Sequence, residues 1–143
     1  MGLDVGSKTI GVAISDELGL TAQGLKTIRR TSREEDLKEI ERLIEQFEIV
    51  KIVVGLPKNM DGTLGTQAEK VFQWIRILEE KTKIPVFSWD ERLTTVGASR
   101  ILLEADLSRK KRKKVVDKVA AVLILQGYLD RSRKGNDEPV LSP

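Results

Sequence analysis

The stretch GLDVGSKTIGVAISD, residues 2–16, decides the fold class of this chain of 143 residues. Two runs of aliphatic and β-branched residues, 2–5 and 9–15, flank the short polar segment 6–8. This pattern predicts an antiparallel hairpin, because each run can form a strand and the small polar residues can form the turn. Residues 23–30 predict a third strand beside it.

The middle of the chain alternates predicted helices with predicted strands. Ser32 and Glu35 form a capping box before an amphipathic helix over residues 33–47. Residues 50–55 are almost wholly apolar, as expected for a strand that helices cover on both faces. A loop over residues 56–65 then leads to a second helix. The polar residues that can cap this helix and the apolar residues that should face inward are Thr66, Glu69, Val71, Trp74, Ile75 and Leu78.

Three further elements complete the predicted order. We expect a strand over residues 84–89, a helix over 94–105 and a strongly apolar final helix over about 115–131. The sum is an α/β fold in three layers, with a mixed five-stranded sheet that is antiparallel in its first three strands, then parallel, and flanked by helices. We expect one domain over residues 1–134 and a tail over 135–143.

The composition excludes several classes of chemistry. The chain has no Cys and no His, which removes disulfides, thiolate zinc sites, cysteine nucleophiles and imidazole bases. A bound metal would need hard oxygen ligands, which favours Mg²⁺ or Mn²⁺. The longest apolar run, residues 119–125, is too short to span a membrane, and no signal-peptide pattern precedes the first strand. We therefore expect a cytoplasmic protein without membrane contact.

The positive charge is local. Six of the 25 basic residues lie in the run RKKRKK at residues 109–114, while the other 19 are outnumbered by 22 acidic residues. A concentrated run of this kind can contact phosphates, although a solvated loop or helix start explains it equally well. The candidate nucleic-acid contacts in this run are Arg109, Lys110, Lys111 and Arg112.

Asp4 places a charge in an otherwise apolar strand. Strand alternation puts Leu3 and Val5 on one face and Asp4 on the other, and that other face should also be covered. An unpaired carboxylate there would cost several kcal/mol, so it needs a cation or a set of donors. Lys8 or a backbone N–H of the turn could supply those donors in place of a metal.

Asp90 and Glu91 are candidates to join Asp4. They end the last predicted strand, and α/β proteins build ligand sites at the carboxyl ends of parallel strands. Adjacent strand residues point to opposite faces, so only one of the two should join Asp4, and strand geometry alone does not choose between them. The other would turn outward, pair with Arg92 or cap the next helix.

Asp117 is the third candidate. It shares a helical stripe with Ala120, Ala121 and Ile124, although it could also lie in a first turn and merely favour the helix dipole. Three converging carboxylates would repel by roughly 4 kcal/mol per pair at ~4 Å and an effective dielectric near ~20, and a divalent ion reverses this repulsion. Because the chain has no His, the simplest reaction at such a site is metal-assisted phosphodiester hydrolysis.

The loop after the fourth predicted strand offers a further contact. It leads into a helix N-terminus, where backbone N–H groups with Lys58 or Asn59 could hold a substrate phosphate. A plain strand-to-helix turn is the alternative.

Four motifs together resemble one family along nearly the whole chain. They are GLDVGSKTIGVAISD, VGLPKNMDGTLGTQA, FSWDERLTT and VDKVAAVLILQGYLD, at residues 2–16, 54–68, 87–95 and 116–130. The chain resembles the YqgF family, which implies a ribonuclease H-like fold related to the RuvC resolvases. Members of that family are described as Holliday-junction resolvases or as nucleases that mature the 5′ end of pre-16S rRNA.

The resemblance also implies residue roles. Asp4, Glu91 and Asp117 match the acidic residues of the family motifs, so they would be the catalytic and metal-binding set, and the match selects Glu91 over Asp90. The residues to which the resemblance gives supporting or nucleic-acid-binding roles are Lys8, Lys58, Asn59, Arg92, Thr94 and Thr95.

Together these features predict a Mg²⁺- or Mn²⁺-dependent nuclease acting on structured RNA. Resolving a four-way DNA junction calls for two coordinated sites, and the sequence shows no unmistakable dimer surface, so we favour pre-16S rRNA processing by a monomer or weak dimer, with ribosomal particles as partners. The alternatives are a junction resolvase, a non-catalytic rRNA-binding assembly factor, and a nucleotide-binding half of a sugar-kinase or actin-like protein, which would need a second domain.

Overall fold

The computed structural model describes residues 1–57, 64–93 and 109–133, and for residues 109–117 it describes only the helical backbone. Five strands form one sheet in the order β3-β2-β1-β4-β5. β1 pairs with β2 and β2 with β3 in antiparallel fashion, whereas β4 is parallel to both β1 and β5. The predicted mixed sheet is confirmed. The strand bounds are Gly2–Val5 for β1, Thr9–Ser15 for β2, Ala22–Arg29 for β3, Ile52–Leu56 for β4 and Val86–Asp90 for β5.

Helices cover both faces of this sheet. α1 spans Arg33–Gln46 and α2 spans Thr66–Thr82, and their apolar side chains form one core with the sheet residues Leu3 and Val54. α3, Arg109–Arg133, packs on the opposite face, in a second core that includes Val53. The three predicted layers are therefore present in the described part of the chain.

The two helices on the first face begin differently. The backbone N–H of Glu35 donates to Ser32 Oγ at 3.2 Å, so the predicted cap of α1 is confirmed. The prediction that Thr66 caps α2 is wrong, because the cap residue is Gly65 and Thr66 is the first helical residue. Gly65 is extended and its carbonyl accepts the Glu69 N–H at 3.3 Å, which starts the helix without a side-chain cap.

The parallel strands β4 and β5 begin two residues later than predicted. Glu48 has a φ of +52° and the Ile49 N–H donates to the Ile44 carbonyl at 3.0 Å, so the turn that closes α1 reaches up to the predicted start of the strand. Val50 is consequently 75% exposed despite its strand propensity. Before β5, Lys83 closes α2 in the left-handed conformation, with a φ of +61°.

The last described helix begins six residues earlier than predicted. Apolar periodicity first appears near residue 115, but Lys and Arg are good helix formers, and the basic run 109–114 is helical as well. The predicted helix over 94–105, most of the loop over 56–65 and the tail over 135–143 lie outside the described residues. No helix in the described ranges is both long enough and apolar enough to cross a membrane.

Candidate active site

α3 lies very close to the sheet at two glycines. A Cβ added to Gly2 would lie 2.8 Å from Leu125 Cβ and 3.0 Å from the Ala121 carbonyl oxygen. A Cβ added to Gly55 would lie 2.4 Å from Ile124 Cδ1. The absence of side chains at Gly2 and Gly55 thus lets α3 rest directly on β1 and β4.

Asp4 lies on the face of the sheet that α3 covers. Leu3 and Val5 belong to the core beneath α1 and α2, whereas Gly2 faces α3. Because side chains alternate along a strand, Asp4 shares the face of Gly2. Asp4 is 8% exposed, so the predicted burial of its carboxylate opposite Leu3 and Val5 is confirmed.

Glu91 reaches the same region from the end of β5. Its carboxyl carbon lies 3.4 Å from the position of a Cβ built on Gly55. The register of β1 and β4 pairs Leu3 with Val54, and the next pair in this register is Asp4 and Gly55. Neighbouring strands are about 4.8 Å apart, so Asp4 and Glu91 flank Gly55 from either side on the face covered by α3.

Asp90 points to the opposite face. In β5, Val86 belongs to the core under α1 and α2 and Trp89 to the core under α3, so alternation directs Asp90 away from α3. Arg92 donates to both oxygens of Asp90, with Nε–Oδ1 and Nε–Oδ2 distances of 3.1 Å and an Nη2–Oδ2 distance of 2.8 Å. Of the three alternatives for the second acid of this pair, the ion pair with Arg92 is therefore the one that forms.

The backbone of α3 brings residue 117 toward the same end of the sheet. Lys118 packs against Gly24 in β3, and Gln126, eight residues later, bonds to Leu20 and Ala22 near the start of that strand. α3 therefore runs antiparallel to β1. Asp117 lies one turn before the contact of Ala121 with Gly2, about 6 Å away along the helix axis, in the direction of the carboxyl end of β1.

The other predicted site residues fall into three groups. Lys8 is exposed in the turn between β1 and β2, and Arg92 is engaged with Asp90. Arg109, Lys110, Lys111 and Arg112 belong to the first turns of α3. The side chain of Asp117 and the residues Lys58, Asn59, Thr94 and Thr95 lie outside what the structure describes. Among the residues described with side chains, no three acidic groups lie close enough together to hold a metal ion.

The side chains of Arg30 and Gln67 bind the turn after Asp4, a pair of contacts that the sequence did not predict and that we call the clamp. Arg30 donates through Nη1 to the Gly6 carbonyl at 2.5 Å and through Nε to Asp36 at 3.3 Å, and its guanidinium lies 5.3 Å from the ring centroid of Trp74. Gln67 donates to the Val5 carbonyl at 3.3 Å. These contacts fix the backbone directly after Asp4.

Asp36 carried the signal for this clamp. It is 2% exposed and precedes the buried Ile40 and Leu43 by one and two helical turns, so it interrupts the apolar stripe of α1. A charge on an apolar stripe needs a partner, just as Asp4 does in its strand. The same argument could therefore have been applied to both residues.

This arrangement defines the class of the fold. It is ribonuclease H-like, with acidic side chains from β1 and from the end of β5 brought under a helix that crosses the sheet. Two solved structures of a Thermus thermophilus protein share the fold. The one titled “T. thermophilus RuvC in complex with Holliday junction substrate” aligns with a TM-score of 0.60 at 16% identity and covers 96% of this chain and 97% of its own. The one titled “Thermus thermophilus RuvC structure” aligns with a TM-score of 0.56 at 13% identity, with the same coverage.

The chain belongs to the RuvX family. The family model described as “RuvX: Holliday junction resolvase” matches residues 1–131. A Clostridium acetobutylicum protein named “Putative pre-16S rRNA nuclease” is 62% identical over 130 residues, which are 91% of this chain and 96% of the relative. A Clostridium botulinum protein of the same name is 60% identical over 134 residues, 94% and 98% of the two chains. RuvX and YqgF are two names of one family of nucleases, so the resemblance found in the four motifs is confirmed.

Proposed function

We propose that this protein is a metal-dependent nuclease that hydrolyses phosphodiester bonds during 5′-end maturation of pre-16S rRNA. The observation that carries the proposal is that Asp4 and the Glu91 carboxyl group lie on either side of Gly55, on the face of the sheet that α3 covers. Carboxylates that lie near one another offer oxygen ligands to a divalent cation, which offsets the repulsion between them. The names of the two clostridial relatives support rRNA as the substrate.

Asp4, Glu91 and Asp117 are the residues that would hold Mg²⁺ or Mn²⁺. All are oxygen donors, which these hard cations prefer, and the chain has no His or Cys that would favour a softer metal. A metal ion held by these three residues would supply activation of the attacking water and stabilisation of the leaving oxygen.

Contacts within the protein hold the backbone next to these carboxylates in place. The Arg30 and Gln67 contacts hold the backbone after Asp4, and the Asp90–Arg92 pair holds the chain on both sides of Glu91. Lys8 is exposed in the turn between β1 and β2 and would contact a phosphate of the substrate. The remaining contacts that we propose for the nucleic acid are Lys58, Asn59, Thr94, Thr95, Arg92 and the basic start of α3, residues 109–112.

Resolution of Holliday junctions is the second candidate function, because the matching family model carries that description. It requires two active sites acting together on one branched DNA, hence a symmetric dimer. Trimming one end of a precursor rRNA needs a single site. A monomer or weak dimer acting in the cytoplasm on pre-ribosomal particles fits the first function.

A cleavage assay on both substrates tests the proposal. Purified protein with Mg²⁺ or Mn²⁺ should cleave a precursor 16S rRNA fragment near its 5′ end faster than a four-way DNA junction, and EDTA should stop the reaction. Asp4→Asn should reduce cleavage by at least about 100-fold. Unchanged cleavage by Asp4→Asn would contradict the catalytic site, and preference for the junction would favour the second function.

Asp16→Asn is the matched control for this assay. The Asp16 carboxylate accepts backbone N–H groups of Leu20 at 2.7 Å and Thr21 at 3.3 Å, in the turn at the other end of β2 from Asp4. The substitution Asp16→Asn removes one negative charge by the same change of atoms as Asp4→Asn, but far from the proposed site. Cleavage by Asp16→Asn should stay within about twofold of the wild type.

A further inference from the structure

A cavity of about 380 Å³ opens on the opposite face of the sheet from the carboxylates, between the turn after β1 and the first turns of α1 and α2. Its lining includes the cations Arg30, Arg33 and Lys70 and a single acid, Asp36. Its volume lies in the range of small-molecule sites. None of the three cations belongs to the carboxylate site.

The one acid that lines the cavity, Asp36, already has hydrogen-bond and ion-pair partners. Asp36 accepts the Thr31 N–H at 3.1 Å and the Arg30 Nε–H at 3.3 Å. Arg30 also donates through Nη1 to Gly6, and among the described residues its Nη2 has no hydrogen-bond partner. Asp36 therefore orients Arg30 and leaves part of its guanidinium available to an anion.

The other two cations have no acidic partner in the described part of the chain. Arg33 and Lys70 are exposed and lie on different helices, at the starts of α1 and α2, on either side of the cavity. Bringing cations together without acids is unfavourable in the absence of an anion. Gln67 and Gln73 add amide groups to the lining. These are the donors that a phosphate group requires.

The cavity adjoins the proposed active site through the chain itself. Val5 and Ser7 line it, whereas Asp4 faces α3. Three residues of extended chain span at most about 11 Å, so Ser7 and Asp4 are no further apart than that. A single strand of nucleic acid that crosses the exposed turn at Lys8 could therefore reach both faces of the sheet.

We propose that this cavity is a phosphate-binding site that holds the nucleic-acid backbone on one side of the cleaved bond. The inference rests on the proposed nuclease function for the identity of the ligand. Arg33 and Lys70 contact the phosphate from the two helices, and Arg30, positioned by Asp36 and Trp74, contacts it from the chain directly after β3. The site recognises the backbone without regard to base sequence.

Binding of a fluorescently labelled single-stranded RNA in EDTA tests the inference without cleavage. The double variant Arg33→Gln/Lys70→Gln should bind at least about tenfold more weakly than the wild type. The control Lys38→Gln/Arg76→Gln removes one exposed cation from each of the same helices outside the cavity and should change the affinity by less than about threefold. Equal losses in both variants would overturn the inference.

The salt dependence gives a second readout. Two lost phosphate contacts should make the slope of log Kd against log salt concentration about 1.4 less steep for single-stranded RNA. The control double variant should keep the wild-type slope. An unchanged slope in Arg33→Gln/Lys70→Gln would contradict contact with the backbone.

Trp74 reports on the cavity directly. The chain has two tryptophans, so Trp89→Phe leaves Trp74 as the single indole fluorophore, and the RNA-binding comparison stands by itself if this variant does not fold. Titration with inorganic phosphate should change the Trp74 emission, and RNA should compete with the phosphate. Binding of phosphate or a mononucleotide without competition by RNA would overturn the backbone assignment in favour of a small anionic ligand.

The two proposals can fail separately. If the wild type cleaves RNA but Arg33→Gln/Lys70→Gln binds it normally, only the phosphate site is wrong. If the wild type binds RNA through the cavity but Asp4→Asn cleaves as well as the wild type, the carboxylate site is wrong and the phosphate site stands.

Discussion

The carboxyl group of Glu91 lies against Gly55, with its carbon 3.4 Å from the place where a Cβ would be. The same Cβ would lie 2.4 Å from Ile124 Cδ1, so this glycine makes room for both the acid and the covering helix. Both the packing of α3 and the placement of Glu91, a proposed metal ligand, thus depend on the missing side chain of Gly55.

Gly55→Ala should lower the free energy of unfolding by about 1–3 kcal/mol. Ile124 is fully buried, so its terminal methyl cannot move away without disturbing the core. Denaturant unfolding measures the loss. Ile124→Val removes the clashing methyl, so Gly55→Ala/Ile124→Val should be more stable than Gly55→Ala alone. Additive destabilisation by the two substitutions would contradict this packing.

The ion pair behind Glu91 gives a second prediction. Arg92→Ala leaves the buried Asp90 carboxylate without its guanidinium and should destabilise the protein by about 1–2 kcal/mol, less than a fully buried pair because 39% of the Arg92 side chain is exposed. Asp90→Asn should recover part of this loss in the same background. Arg42→Ala, which breaks an exposed pair with Glu39, should cost less than about 1 kcal/mol, and a larger loss than for Arg92→Ala would contradict the argument.

The strands and the candidate acids could be predicted from the sequence because their signals are local. The alternation of Leu3, Asp4 and Val5 places the carboxylate on its face without any knowledge of the partner strand. The choice between Asp90 and Glu91 needed the family motif, because alternation fixes only that the two differ. In the structure Trp89 faces α3, so Asp90 lies on the opposite face of the sheet.

The sequence could have predicted that Asp36 has a partner, but it could not have predicted which residue that partner is, and it gave no signal for the cavity. Arg30 contacts Gly6, 24 residues away, and this distance in sequence reveals nothing about their contact. Arg33 and Lys70 look like ordinary surface cations until the sheet brings the starts of α1 and α2 together. Contacts between elements depend on the whole topology, and local patterns do not encode them.

Acid should weaken the protein through Glu39. Hydrogen bonds from Arg42, and then from Lys26, lower the pKa of Glu39 from 4.5 to about 2. Since the folded pKa is the lower one, this contribution is present above pH 4.5 and is lost as the pH falls toward 2. Glu39→Gln should therefore cost about 1 kcal/mol at pH 7, a value reduced because its side chain is 26% exposed, and almost nothing near pH 2.

Chemical unfolding at several pH values checks this prediction. The exposed Glu41 lies on the same helix, and Glu41→Gln should stay within about 0.5 kcal/mol of the wild type throughout. A constant difference between Glu39→Gln and the wild type from pH 7 to pH 2 would show that the loss comes from packing instead of charge.

Metal binding should stabilise the protein through Asp4 even where no substrate is present. At a Mn²⁺ concentration about 100 times its Kd, the expected gain is about 2.7 kcal/mol, or an increase in Tm of about 5–10 °C for a chain of this size. Asp4→Asn should lose this gain, because the substitution removes a charged oxygen ligand of the ion. Asp16→Asn should keep the full response to Mn²⁺. An equal Mn²⁺-dependent shift in Asp4→Asn would show that the ion binds elsewhere, and the role of Asp4 as a metal ligand would then have to be abandoned.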